Sequence, residues 1–136
     1  MNRRERKIGL LEKALVTVLV ISAFYSCRQD DAVIVPEPAL PAVVSFHQHI
    51  LPLFHANCAL SGCHNGLNPN VHLNLTDSVA YKQLFVKHEI DTINPSNSFL
   101  YQQMTSTGTP MPPTGKLSDY DIKLVLKWLN EKAPDN

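Results

Sequence analysis

The sequence predicts a small all-α domain, and three observations lead there. Near the end, "KLSDYDIKLVLKWLNEK" (residues 116–132) repeats apolar side chains at the 3.6-residue period of a helix. Earlier, Phe46, Ile50, Leu53 and Phe54 recur at the same spacing. The one alternating stretch, "VHLNL" at 71–75, is five residues long and has no second strand to pair with, so a sheet is not expected. The chain contains no internal repeats.

The first elements are not expected to belong to that domain. Residues 1–7, "MNRRERK", are strongly basic, and residues 14–25 form an unbroken apolar run of 12. That is short of the roughly 20 residues that span a bilayer. A basic start, a short apolar core and a small residue ahead of a cysteine read as a secretory signal. The end of the segment, "FYSC", resembles the lipobox of bacterial lipoproteins. The resemblance implies cleavage after Ser26 and a lipid on Cys27, and the following "RQDD" resembles the acidic export signals of some surface lipoproteins. Two other fates stay open for this segment: an uncleaved anchor, or ordinary cleavage that leaves Cys27 as a free thiol. The expected organisation is a signal segment at 1–26, a lipidated cysteine and proline-rich linker at 27–42, and a domain at 43–136.

Five of the 12 basic residues and two of the 12 acidic ones precede residue 27, which leaves 7 basic, 10 acidic and a net charge of −3. No basic stripe remains to follow a phosphate backbone, so nucleic acid is not an expected partner. The linker carries prolines at 36, 38 and 41. Closely spaced prolines favour an extended chain, and 15 such residues reach about 40 Å.

Within the domain, Ser45 and Gln48 have the spacing of a capping box ahead of the first helix. Pro52 removes a main-chain donor, so a kink or a fresh helical start is expected there. Asp77 is the expected N-cap of a second helix, and a short third helix should follow Pro95 over 96–104. For the last helix Ser118 is the N-cap, and Asp121 lies in the first turn at the positive end of the helix dipole. Leu117 and Ile122 match a hydrophobic staple. Ile122, Val125, Leu126 and Leu129 form the expected buried stripe, widened by Leu124 and Trp128, and Pro134 should end the helix.

The chemistry is concentrated in "NCALSGCHNG", residues 57–66. C-x-x-C-H is the signature of covalent haem attachment. Here Cys58 and Cys63 are separated by four residues, and His64 follows directly. Two nearby thiols can form thioethers with the two vinyl groups of a haem. A histidine adjacent to the second is then delivered to the iron from one face. The two extra residues must bulge outward, and Gly62 can take the positive φ that a bulge needs. A short disulfide loop and a zinc site using Cys58, Cys63, His64 and His55 are the alternatives. The zinc reading lacks a second spaced ligand pair.

Downstream, "TPMPPTGKLS" places Met111 between prolines, in a stiff loop and not on a helix stripe. A thioether there suits the second axial position of a Met/His haem. Covalent haem is the expectation because Met111 agrees with the cysteine motif independently. Met104 is expected in the core. His47, His49, His55, His72 and His88 are expected at the surface, and one of them in place of Met111 would give a bis-histidine centre. Trp128 and Tyr101 are expected to pack, and Lys123 and Lys127 to form a solvated helix face.

Taken in order, "ILPLFHANC....CH", "VHLNL" followed by Tyr81, "SNSFLYQQM", "MPP" and "LSDYDIKLVLKWL" resemble the landmarks of a class I cytochrome c domain of bacterial exported lipoproteins, over about 90 residues. The resemblance implies a few helices around one covalent haem c, with first and last helices crossing. It also implies thioether bonds at Cys58 and Cys63 and axial ligands His64 and Met111. The departure is the four-residue gap between the cysteines.

The expected function is one-electron transfer between unidentified redox partner proteins, by an exported domain held at a membrane through Cys27. With two axial ligands a carrier is expected, not an enzyme. The alternatives are a peroxidase-like haem enzyme, if Met111 leaves the iron, and a haem-free, disulfide-stapled binding module.

Overall fold

The computed structural model describes residues 36–68 and 70–136. The signal segment and Cys27 lie outside the described residues. Residues 37–136 form one compact unit. The described residues contain four α-helices and no strand, as the periodicity predicts: α1 (Leu51–Asn57), α2 (Ala80–Val86), α3 (Phe99–Thr105) and α4 (Asp119–Asn130). A π-helical turn, Phe46–Ile50, runs into α1, and a 3₁₀ turn, Pro95–Asn97, precedes α3. None of these helices is long and apolar enough to cross a membrane.

The expected break at Pro52 is a change of helical register. Ile50 N–H donates to Ser45 O at 3.4 Å, and Leu51 N–H donates to Phe46 O, in the wide i→i−5 pattern. The narrower α pattern starts at Leu51 and puts Pro52 in its first turn, where a missing N–H costs nothing. Ser45 Oγ accepts from Gln48 N–H at 3.2 Å, which is half of the capping box. The other half differs: Ser45 N–H donates to His49 Nδ1 at 2.8 Å, because the π register carries His49 back over the cap.

Asp77 does not cap α2. Asn74 and Thr76 form a tight turn, with Thr76 N–H and Oγ1 both donating to Asn74 Oδ1 (2.9 and 2.8 Å). Thr76 O then accepts from Val79 and Ala80 (3.1 and 2.8 Å), so the helix begins at Ala80. The Asp77 carboxylate pairs with His55 on α1 instead. At α3 the Ser98 hydroxyl is buried and serves the preceding loop. It accepts from Asp91 N–H at 2.8 Å and donates to Asp91 O at 3.1 Å.

In α4, Ser118 Oγ accepts from Asp121 N–H at 3.0 Å and donates to its carboxylate at 2.7 Å. Leu117 and Ile122 are both buried in the core. The buried face is Ile122, Leu124, Val125, Trp128 and Leu129, and Leu126 is only half-buried. The face is thus rotated toward Trp128, which lies 5.4 Å from Phe46 between ring centroids. α4 ends at Asn130, four residues before Pro134. Lys132 and Ala133 take positive φ (72° and 47°) and turn the chain back across the molecule.

Phe46 is fully buried and joins the layers. Its ring lies 5.1 Å from Tyr81 of α2 and 6.4 Å from Phe54 of α1, besides Trp128 of α4. The returning chain completes this junction. Donors at the start of a helix lack intrahelical partners, and here residues 131–136 supply them. Asn136 O accepts from His47 N–H at 3.0 Å and from Ser45 Oγ at 2.5 Å. Asn136 Oδ1 accepts from Phe46 N–H at 2.9 Å, and Glu131 Oε2 from Val44 N–H at 2.8 Å. Leu40 packs partly buried against the core, and Glu37 pairs with Lys123 at 2.5 Å.

Burial by itself would raise the Glu131 carboxyl. The hydrogen bond from Lys127, the Val44 N–H and the Lys127 charge together hold it below its ordinary 4.5. A carboxyl depressed on folding stabilises above its unfolded pKa and stops doing so as pH falls through the folded one. Glu131→Gln should therefore lower the urea midpoint near neutral pH and flatten its decline below about pH 4. Parallel pH profiles for the two proteins would contradict this.

Candidate functional site

Three of the predicted site residues lie on one loop that leaves the end of α1. Cys58 N–H and Ala59 N–H both donate to Phe54 O (2.7 and 2.8 Å), so Cys58 stays attached to the helix. The chain then bulges and returns. Cys63 N–H donates to Leu60 O at 2.9 Å, and His64 N–H to Cys58 O at 3.1 Å. Gly62, at the crest, has φ +79°, the conformation that its place in the longer spacing predicts. Cys58 and Cys63 are both half-buried free thiols.

His64 is tied at three points. Its main chain donates to Cys58 and accepts from Leu75 N–H at 2.8 Å, and Leu75 is buried in the core. Its ring Nδ1 lies 3.2 Å from Leu73 O. A carbonyl oxygen only accepts, so in this contact Nδ1 is the donor, and in a neutral ring the Nε2 lone pair is left for a metal. Metal-bound histidines are typically oriented in this way, through the second ring nitrogen. The half-buried ring is thus aimed before any ligand arrives.

Burial, and then the neighbouring Cys63 thiol, push the Cys58 thiol up to about 11. It is therefore protonated near neutral pH. A protonated thiol is a poor metal ligand and a slow partner in disulfide exchange. Among the described residues no three His, Cys, Asp or Glu side chains converge to hold a metal ion, so the alternative zinc set of Cys58, Cys63, His64 and His55 is not assembled. His55 pairs with Asp77 instead.

Met111 lies on a different loop, between α3 and α4. Its N–H donates to Gln103 O at 2.9 Å, its side chain is 40% exposed, and the following Pro112 is buried. Met104, the other candidate thioether, is buried in the core, as expected. Of the remaining histidines, His47 pairs with Asp135 at 3.1 Å, His49 accepts from Ser45, and His72 and His88 are exposed. Lys123 and Lys127 are not free: they pair with Glu37 and Glu131.

These residues fit a covalent haem. Two free thiols and an oriented imidazole share one loop, and a soft thioether is exposed on another. Leu60 and Leu67, on either side of His64 in the chain, are 41% and 83% exposed and offer apolar surface to a macrocycle.

Sequence reasoning missed several contributors. The Leu73 carbonyl that aims His64 has no sequence signature. Glu89 is held above its usual carboxyl range by burial, against the opposing pull of His64 and Lys87, which places its carboxyl within electrostatic reach of the imidazole. Contacts of that kind are long-range and have no local pattern. Gly66 and Asn68 belong to Asn-Gly and Asn-Pro pairs, which are turn signals. Gly66 has φ +77°, and a Cβ there would lie 2.4 Å from Asn74 Nδ2.

No family model, no curated protein and no solved structure matches this chain.

The two loop glycines should respond differently to alanine. At Gly62 a Cβ meets nothing within 4 Å, so Gly62→Ala should cost only the left-handed penalty, about 1–2 kcal/mol. Gly66→Ala adds the clash with Asn74 and should cost more. It should also perturb the His64 ring resonances, which Gly62→Ala should leave in place. Equal unfolding midpoints would overturn the ordering.

Proposed function

We propose that the domain is a monohaem c-type cytochrome that transfers single electrons and takes the class I cytochrome c fold. The observation that carries this reading is His64. Its main chain is bonded to Cys58 and Leu75, and its Nδ1 lies 3.2 Å from Leu73 O, which leaves Nε2 for a ligand on the same loop that carries two free thiols. When bound, the haem iron supplies a one-electron couple. Cys58 and Cys63 would hold the ring covalently, and the main-chain bond from His64 N–H to Cys58 O closes the loop that carries all three. Met111 would supply a second ligand to the iron from its proline-flanked loop. The imidazole, fixed before binding, would move little between oxidation states, which would keep reorganisation small.

With His64 and Met111 both bound to it, the iron would have no open site, and the domain would be a carrier and not a catalyst. Its partners are redox proteins on the exported side of a membrane. A lipid on Cys27 confines it near them and raises its effective concentration. The exposure of Met111 favours one second reading, a peroxidase-like haem enzyme in which the thioether leaves the iron.

Expression with a cytochrome c maturation system, followed by mass measurement and a reduced-minus-oxidised spectrum, tests the proposal. One covalent haem and a six-coordinate spectrum are expected. Cys58→Ser combined with Cys63→Ser should abolish covalent haem. Met111→Ala should keep the haem and lose the thioether ligand, and an unchanged spectrum would reject Met111. A colourless product with Cys58 and Cys63 joined to each other would reject the haem altogether. Separately, Cys27→Ser should move the exported protein from the membrane to the soluble fraction, and continued membrane association would reject the lipid anchor.

A further inference from the structure

The four-residue spacing between the cysteines poses a mechanical problem, because the loop is long enough to swing. The peptide between Gly62 and Cys63 decides where the Cys63 sulfur points. That unit is planar, so fixing both its edges fixes the direction of the Cys63 Cα. One edge is held within the loop, by Cys63 N–H donating to Leu60 O at 2.9 Å. The other edge, Gly62 O, is held from outside, by Asn68 Nδ2 at 2.7 Å. Asn68 Oδ1 meanwhile accepts from Asn70 N–H at 3.0 Å, so both ends of the amide are engaged and its orientation is set.

We propose that Asn68 is a positioning residue for haem attachment: its amide latches the lengthened Cys58–Cys63 loop open as a dithiol and presents Cys63 for the second thioether. The purpose of the latch rests on the haem reading, but the latch itself does not. Closing the competing disulfide needs a specific S–S geometry, and any turn of the Gly62–Cys63 peptide toward it is opposed by the Asn68 bond to Gly62 O. In glutathione the competing step is balanced. Each cysteine thiol gives up a proton, and together they give two electrons to oxidised glutathione. Its S–S bond breaks to two thiols as the Cys58–Cys63 bond forms.

The test uses the full chain with Cys27→Ser, so that only two thiols titrate. Asn68→Asp keeps the acceptor for Asn70 and replaces the donor with a group that repels Gly62 O, and Asn68→Ala removes the amide without adding charge. In the haem-free protein both variants should shift the dithiol–disulfide equilibrium in glutathione buffers about fivefold toward the disulfide, the scale of one solvent-exposed hydrogen bond. The unfolding midpoint of the reduced protein should fall by the matching amount, and that of the disulfide form should not. After maturation, both should show a smaller share of haem bound through two sulfurs, read by mass and by the pyridine haemochrome spectrum. An unchanged thiol equilibrium in the two variants overturns the latch, even if haem attachment falls. If the parent protein takes up no haem, the cytochrome reading fails, while the thiol equilibrium still decides whether Asn68 holds the loop.

Discussion

The contact of Phe46 with Trp128 is the constraint on which the remainder of the domain depends. It brings the start of the first helical segment onto the last helix, and Tyr81 and Phe54 close around the same ring. A unit of 100 residues has little interior to spare, so one fully buried aromatic junction that touches α1, α2 and α4 has a large share of the organising role. The chain end reinforces the junction. Residues 131–136 return over it and supply acceptors for main-chain donors at 44, 46 and 47 that no helical carbonyl can reach.

The candidate site hangs from this frame at two points. At one end Cys58 continues the hydrogen bonding of α1, whose Phe54 faces the junction. At the other, Leu75 is buried in the core and its N–H holds the His64 carbonyl. Between these anchors the loop carries no regular structure and is shaped by individual bonds: Cys58 O to His64, Leu60 O to Cys63, Gly62 O to Asn68, Leu73 O to the imidazole. A loop built in this way can display two thiols and an aimed ring nitrogen at one edge of a helical domain. Those are the requirements of the haem attachment proposed for it.

The Cys58 thiol and the Glu89 carboxyl are shaped by burial more than by charge. Cys58 is pushed upward mainly because it is removed from water, and so is Glu89, in spite of the basic groups beside it. An apolar setting of this kind keeps Cys58 in its neutral form.

Local chemistry was legible wherever it depends on neighbours in the chain. The helical class, the start at Pro52, the Ser118 cap, the positive φ at Gly62 and the adjacency of Cys63 and His64 all follow from side chains within a few residues of one another. Where two local options competed, the sequence could not choose between them. Asp77 is a sound cap by composition, yet the Asn74–Thr76 turn delayed the helix and left Asp77 to His55. Leu126 fits the apolar stripe, yet packing on Phe46 turned the helix toward Trp128. The Leu73 carbonyl, the Glu89 carboxyl and the Asn136 cap reach their partners only once distant segments are packed together. The sequence by itself determined which helices form and which atoms could bind. Only the tertiary structure decided which way those atoms face, because direction is set by contacts between residues far apart in the chain.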